Sequence, residues 1–282
     1  MMKIIECPRD AMQGRKEFIP TEKKIRYINA LLQVGFDTLD FGSFVSPKAI
    51  PQMADTKEVL KSLEFGKSKT KLLAIIANVR GAEEALEFSV IDYLGFPFSI
   101  SETFQQRNTN ASREQAFESV KIIQNLCIAK DKKMVVYLSM GFGNPYDDVW
   151  SVEEVENWTK QFAALGIEII SLADTVGTAK ENDIEQIFSS LIKQYPTIEF
   201  GAHLHASAEN TISKVNVAIN AGCFRIDTAL LGFGGCPMAA DDLVGNVDTE
   251  KVIQLIESKN IKLNLDEDAL LKAKILASQI FN

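Results

Sequence analysis

The chain has 282 residues, a formal net charge of −8 and an apolar fraction of 46%, enough to bury one large core or two smaller ones. An acidic balance of this size excludes a broad nucleic-acid surface, which needs clustered cations, but still admits a phosphate-bearing ligand held by a few local groups. No apolar run approaches the ~20 residues that span a bilayer, and the opening "MMKIIECPRDAMQG" reads as neither a signal nor a transit peptide, so the expected location is the cytoplasm. Cys7, Cys127, Cys223 and Cys236 lack CxxC spacing, which predicts reduced thiols rather than a disulfide framework.

In chain order, short apolar or β-branched runs alternate with helical patterns. "KIIEC" (3–7), "TLDFG" (38–42), "LLAIIA" (72–77) and "SVIDYLGF" (89–96) read as the first four strands. "MVVYLSM" (134–140), "IEIISLA" (167–173), "IEFGAHLH" (198–205) and "FRIDTAL" (224–230) read as the next four. Each run is mostly apolar rather than strictly alternating, as expected of strands covered on both faces.

Between them, Pro20 opens a helix with Ile25, Ile28, Leu31 and Leu32 on one face. Ser112 with Gln115, and Ser151 with Glu154, make capping-box patterns ahead of two more, the second stopped by Gly166. A further helix runs from Asn210 to Gly222. This alternation predicts one α/β domain over 1–282, a (β/α)8 TIM barrel at about 3–248 followed by helices at about 249–282. A doubly wound open sheet is the alternative, but no glycine-rich dinucleotide turn follows the first strand.

A barrel places chemistry at the C-terminal ends of its strands. There the sequence offers Arg9, Asp10 and Gln13, then Asp40 and Ser43, Asn78 and Arg80, Ser101 and Glu102, Tyr137 and Ser139, and Asp174 and Thr175. The seventh strand ends in His203 and His205, the only histidines of the chain. Residues i and i+2 of a strand share a face, so the two imidazoles can ligate one cation or simply be hydrogen-bonded in a polar barrel end. Asp10 favours the first reading by offering an anionic ligand, and this mixed nitrogen and oxygen set suits Mn²⁺ or Mg²⁺. "GFGGCP" (232–237) reads either as a tight turn with an incidental thiol or as a lid delivering Cys236 as acid or base. Arg9 can be an ion-pair partner of Asp40 or hold a developing enolate oxygen.

On "PRDAMQ", "SFVSPKAIPQMAD", "SETFQQRN", "SLADTVG", "HLH" and "GFGGCPMA…GN", the chain resembles the 3-hydroxy-3-methylglutaryl-CoA lyases of the metal-dependent TIM-barrel lyase and condensing-enzyme superfamily. The resemblance runs from about Lys3 to Glu250. It implies Asp10, His203, His205 and Asn246 as metal ligands for Mg²⁺ or Mn²⁺, Arg9 as the enolate stabiliser and Cys236 as the catalytic loop cysteine. Asp40 stands where the family has a glutamate near that arginine. Asp174, Tyr137, Ser43 and Gln13 match positions around the acyl group, and Glu250 a supporting glutamate. Two departures stand out: Ala206 replaces the aspartate or asparagine that commonly follows the second histidine, and the Cys236–Asn246 stretch is one residue longer than in the animal-type enzyme.

The expected activity is retro-Claisen cleavage of 3-hydroxy-3-methylglutaryl-CoA to acetoacetate and acetyl-CoA, in leucine degradation, ketone-body formation or a route with a different branched acyl-CoA. Its partners are then a small acyl-CoA substrate and a second copy in a dimer, with no nucleic acid and no membrane. Lys48, Arg80 and Arg107 are candidate phosphate neighbours. The rivals are an acetyl-CoA-dependent condensing enzyme of the 2-alkylmalate or homocitrate type, an aldolase of 4-hydroxy-2-oxoacids, and a non-catalytic binding relative.

Overall fold

A computed structural model describes residues 1–206, 209–235 and 245–281. Its strands are β1 (Lys3–Glu6), β2 (Thr38–Ser43), β3 (Lys71–Ile75), β4 (Tyr93–Ser99), β5 (Lys133–Ser139), β6 (Ile169–Asp174), β7 (Glu199–Leu204) and β8 (Arg225–Thr228). They pair in parallel in chain order, and β1 also pairs with β8, from Lys3 opposite Arg225 to Glu6 opposite Thr228, which closes the barrel. The helices are α1 (Pro8–Gln13), α2 (Thr21–Leu32), α3 (Thr56–Lys61), α4 (Val79–Ala85), α5 (Glu102–Thr109) and α6 (Arg113–Ala129). They continue with α7 (Val152–Ala164), α8 (Glu181–Gln194), α9 (Thr211–Asn220), α10 (Thr249–Ser258) and α11 (Glu267–Phe281). The chain is a (β/α)8 TIM barrel, and no helix among the described residues is long and apolar enough to cross a membrane.

The period of two along each strand separates two cores. Leu73, Ile75, Tyr93, Val135, Tyr137 and Ile169 point inward and fill the barrel. Their chain neighbours Leu72, Ala74, Leu94, Met134, Val136 and Ile170 point outward into the layer under the helices. Full burial of such an aliphatic side chain contributes about 1.5–3 kcal/mol, so a strand slipped by one residue would forfeit both layers at once. This parity also decides which strand-end side chains can reach the mouth of the barrel.

Local signals behave as their chemistry requires. Ser112 and Gln115 form the reciprocal capping box at the start of α6, and Ser151 Oγ accepts from the Glu154 amide at 3.2 Å. Gly166 ends α7 at φ +74°, where an added Cβ would meet open space but a strained backbone. Two boundaries differ from expectation. β1 stops at Glu6 rather than Cys7 because Pro8 opens α1, so Arg9, Asp10 and Gln13 sit on a helical turn after the strand. β4 begins at Tyr93, not Ser89: Val90 is 42% exposed, and Asp92 turns its carboxylate to the Leu72 amide at 2.9 Å. Pro97 is tolerated within β4 because the β3 ladder already ends at Gly95 while pairing to β5 runs on to Ser99.

The last segments close the seam around β1. Residues 245–248 are stitched onto the ends of β7 and β8: the Ala206 amide donates to Gly245 O at 3.2 Å and the Ala229 amide to Val247 O at 2.9 Å. α11 packs beside α2, with Phe281 edge-on to Tyr27 at 6.0 Å.

Candidate active site

Three segments converge at the C-terminal end of the barrel. Pro8 starts α1 directly after β1 and sets Asp10 over the mouth, where its side chain is only 6% exposed. His203 and His205 share the inward parity of β7, with ring centroids 5.1 Å apart. Asn246 is brought beside His205 by an isolated antiparallel bridge between the two residues. One ligand atom each from Asp10, His203 and His205 lie within 4.8 Å of one another.

The remaining lone pairs suit a cation. Asp10 Oδ1 accepts from Arg9 Nη1 at 2.9 Å and Gln13 Nε2 at 2.7 Å, and Oδ2 accepts from Asn246 Nδ2 at 2.7 Å. Asn246 spends its second amide hydrogen on Phe233 O at 2.9 Å, which leaves its Oδ1 without a hydrogen-bond partner among the described residues. Gly234, at φ +110°, allows this approach: a Cβ there would stand 2.3 Å from Asn246 Nδ2 and 3.0 Å from Asp10 O. Carboxylate, imidazole and amide oxygen together fit a divalent cation that also takes oxygen ligands.

Arg9 organises the charge. Its Nε donates to both oxygens of Asp40, at 3.2 and 3.0 Å, and Nη2 donates to Oδ2. Nη1 donates to Asp10 and, at 2.8 Å, to Gln13 Oε1. With five N–H groups available, one Nη2 hydrogen is left uncommitted. Burial alone would raise the Asp10 carboxyl, but Arg9 and then the two imidazoles outweigh it and hold it at about 2. For Asp40 burial wins and raises it to about 6 against the pull of Arg9, so the pair is ionic at neutral pH. Burial opposes the charged form of His203, yet the Asp227 and Asp10 carboxylates raise its pKa.

A cavity of about 110 Å³ opens beside these groups. Arg9, Asp10, Gln13, His203 and His205 line it together with the apolar Val45, Ile50, Ile75 and Phe104. Tyr137 also lines it, meeting His203 edge-on at 5.5 Å. Asp40 stands behind Arg9. Ser43, beyond the β2 bulge, accepts from the Val45 amide at 3.1 Å. Asp174 has the outward parity of β6: its neighbours Ala173 and Thr175 line the cavity, whereas its carboxylate meets Lys214 Nζ at 2.7 Å and the Ala179 amide at 3.0 Å. That placement takes Asp174 out of the acyl-group wall and into a buried ion pair with α9. Glu250 pairs with Lys274 at 2.8 Å. Cys236 lies outside the described residues.

One neighbour of the site was not singled out from sequence. Asp227, inside β8, stands 3.1 Å from His203 Nδ1. Its signal was present in "FRIDTAL", where Arg225 and Asp227 alternate inward between apolar residues.

Fold and donor set together define a class, a (β/α)8 barrel with a candidate divalent-cation site at its C-terminal mouth. The HMGL-like family model matches residues 2–276, and the chain belongs to that family. It is 32% identical to the hydroxymethylglutaryl-CoA lyase YngG of Bacillus subtilis, covering 94% of this chain and 88% of the relative. It is 30% identical to the mitochondrial hydroxymethylglutaryl-CoA lyase of Homo sapiens, covering 100% of this chain and 86% of the relative. A solved HMG-CoA lyase from Acinetobacter baumannii, in complex with coenzyme A and 3-methylmalate, superposes with a TM-score of 0.91 at 31% identity, covering 100% of this chain and 91% of that one.

Proposed function

We propose that the chain is a divalent-metal-dependent carbon–carbon lyase that cleaves 3-hydroxy-3-methylglutaryl-CoA to acetoacetate and acetyl-CoA. The observation that carries this reading is the convergence of Asp10, His203 and His205 within 4.8 Å, beside a buried arginine, in a chain related over its whole length to lyases of that name. Asp10, His203, His205 and the Oδ1 of Asn246 would hold Mg²⁺ or Mn²⁺. Such an ion supplies Lewis acidity toward a substrate hydroxyl and carboxylate.

The chain's own residues do the rest. Asp10, whose carboxyl is held at about 2 by Arg9 and the imidazoles against burial, serves as an anionic ligand, and the substrate's hydroxyl proton passes to Asp10 or to a group linked to His203. Asp40 clamps Nε and Nη2 of Arg9, so the remaining Nη2 hydrogen is pre-aimed and can stabilise enolate charge without reorganisation. Gln13 locks Arg9 to Asp10 by accepting from one and donating to the other. The apolar residues of the lining limit water around the reactive intermediate, and the cavity is the place for the acyl head. Cys236, from the "GFGGCP" segment, would deliver the proton to the enolate carbon. The coenzyme A bound by the Acinetobacter baumannii relative supports an acyl-CoA ligand here. A homodimer and a part in leucine breakdown or ketone-body formation belong to this proposal through the resemblance, and a cytoplasmic location through the cytoplasmic relative of Danio rerio.

The test is purified chain with 3-hydroxy-3-methylglutaryl-CoA and Mg²⁺ or Mn²⁺. Acetoacetate and acetyl-CoA released in equal amounts, and stopped by a chelator, are the expected products. Acetyl-CoA consumed with a 2-oxoacid, and no acetoacetate, would contradict the reading in favour of a condensing enzyme.

A further inference from the structure

We propose that Asp227 is a positioning residue whose carboxylate fixes His203 in the tautomer that offers Nε2 to the cation. This rests on the reading of Asp10, His203, His205 and Asn246 as the cation's ligands.

Asp227 Oδ2 lies 3.1 Å from His203 Nδ1, with the two side chains 1% and 11% exposed. Its other oxygen, Oδ1, is buried and has no hydrogen-bond partner, so among the described residues the imidazole is the one hydrogen bond this carboxylate makes. A carboxylate only accepts, so the proton must sit on Nδ1 and the Nε2 lone pair is left for the side of the ring facing Asp10 and His205. A metal-bound imidazole oriented by a buried carboxylate is more basic and loses less freedom on binding.

A buried cation, ion-paired with Glu199 at 3.2 Å, stands below the pair. Arg225 precedes Asp227 by two residues on β8 and shares its inward face. Its guanidinium is 1% exposed, and Asp227 is the largest influence keeping it charged against burial. Cys7 completes a second cluster with His203 and Asp227, but it does not compete for the ring. Its thiol donates to Ile5 O at 3.6 Å, and burial followed by the charges of Asp227, Asp40, Asp10 and Glu6 raises it well above the usual thiol range. Its proton is thus turned toward a backbone carbonyl rather than the ring.

The experiment uses the full chain, wild type and Asp227→Asn and Asp227→Glu variants, without substrate. Mn²⁺ affinity is read by calorimetric titration, and the tautomer by ¹⁵N resonances of the imidazoles in metal-free protein. With two histidines in the chain, a His205→Gln variant assigns the spectrum. The expected result is a wild-type His203 protonated on Nδ1. Asp227→Asn, whose amide can also donate, should mix the tautomers and weaken Mn²⁺ about 10–100-fold; Asp227→Glu should recover part of both. A wild-type His203 protonated on Nε2, which needs no folded variant to observe, overturns the proposal. So does an Asp227→Asn variant that binds Mn²⁺ as tightly as the wild type. A wild type that takes up no Mn²⁺ while His203 is still protonated on Nδ1 sinks the cation site itself, and the positioning role with it, but leaves the hydrogen bond standing.

Discussion

At the N-terminal end of the barrel, Lys3 meets Glu199 with side chains 29% and 32% exposed, and Lys133 meets Glu168 at 53% and 59%. At the C-terminal end, Arg9 meets Asp10 and Asp40 with side chains 8%, 6% and 1% exposed. The same charge types thus sit in two dielectric regimes. A wet pair is worth about 0–1 kcal/mol. A buried pair gains far more Coulomb energy but repays desolvation with it, so that its net contribution is small while loss of one partner costs about 3–5 kcal/mol. The floor uses charge for solubility and the mouth holds it for chemistry. Arg225, buried at the floor end and paired there with Glu199 at 3.2 Å, is the exception.

The sharpest way to break this contrast is to empty the mouth of its anionic ligand. Asp10→Ala should abolish Mn²⁺ uptake and lower kcat/KM by at least about 1000-fold, roughly 4 kcal/mol of lost Lewis-acid assistance, read by product release. Retained Mn²⁺-dependent turnover would count against the site. Next, Arg9→Met leaves Asp40 buried without its counter-ion, and urea unfolding should show a loss of about 3–5 kcal/mol at pH 7.

Glu6 sharpens the contrast on the outer face of the same end. It accepts from the Leu230 amide at 2.8 Å, Thr249 Oγ1 at 2.6 Å and Thr228 Oγ1 at 3.3 Å, yet burial still raises it to about 7 against those hydrogen bonds. The folded chain holds a proton that the unfolded chain releases near its ordinary pKa of 4.5. Its contribution is therefore complete below about pH 4.5 and is lost as pH rises through 7. Stability should fall by on the order of 2–3 kcal/mol from that group between pH 5 and 8, and Glu6→Gln should remove this slope. An identical slope in wild type and variant would refute the assignment.

Smaller again is Gly234→Ala. A Cβ at φ +110°, against Asn246 and Asp10, should strain the backbone by about 1–3 kcal/mol and weaken Mn²⁺ on the order of 10-fold through its displaced neighbours. Unchanged affinity would show that the segment 232–235 does not hold the ligands. Lys133→Ala at the floor should change stability by less than about 0.5 kcal/mol; a larger loss would erase the difference between the two ends.

Much of this was legible in the sequence because it depends on short-range periodicity. Two histidines at i and i+2 must share a strand face, and "PRDAMQ" after a strand must put its charges at the mouth. Asp174 shows the limit: its position at a strand end was readable, but the face it takes follows from one-residue parity, and β6 turns it toward Lys214. Asp227 went unnoticed because it is a lone acid inside an apolar strand, and only the closed barrel brings β8 against β7. The nearness of Asn246 to His205 comes from a bridge across 41 residues, which no local pattern encodes. β4 starts later than its apolar run suggests because that run begins in a turn, where Val90 faces solvent.

The most direct measurement is a crystal structure of the chain grown with Mn²⁺, with anomalous scattering used to locate the ion. One peak bounded by Asp10, Nε2 of His203, His205 and Oδ1 of Asn246 is the predicted result. A peak between Cys7, His203 and Asp227, or no peak with Asp10 and the imidazoles turned apart, would contradict it.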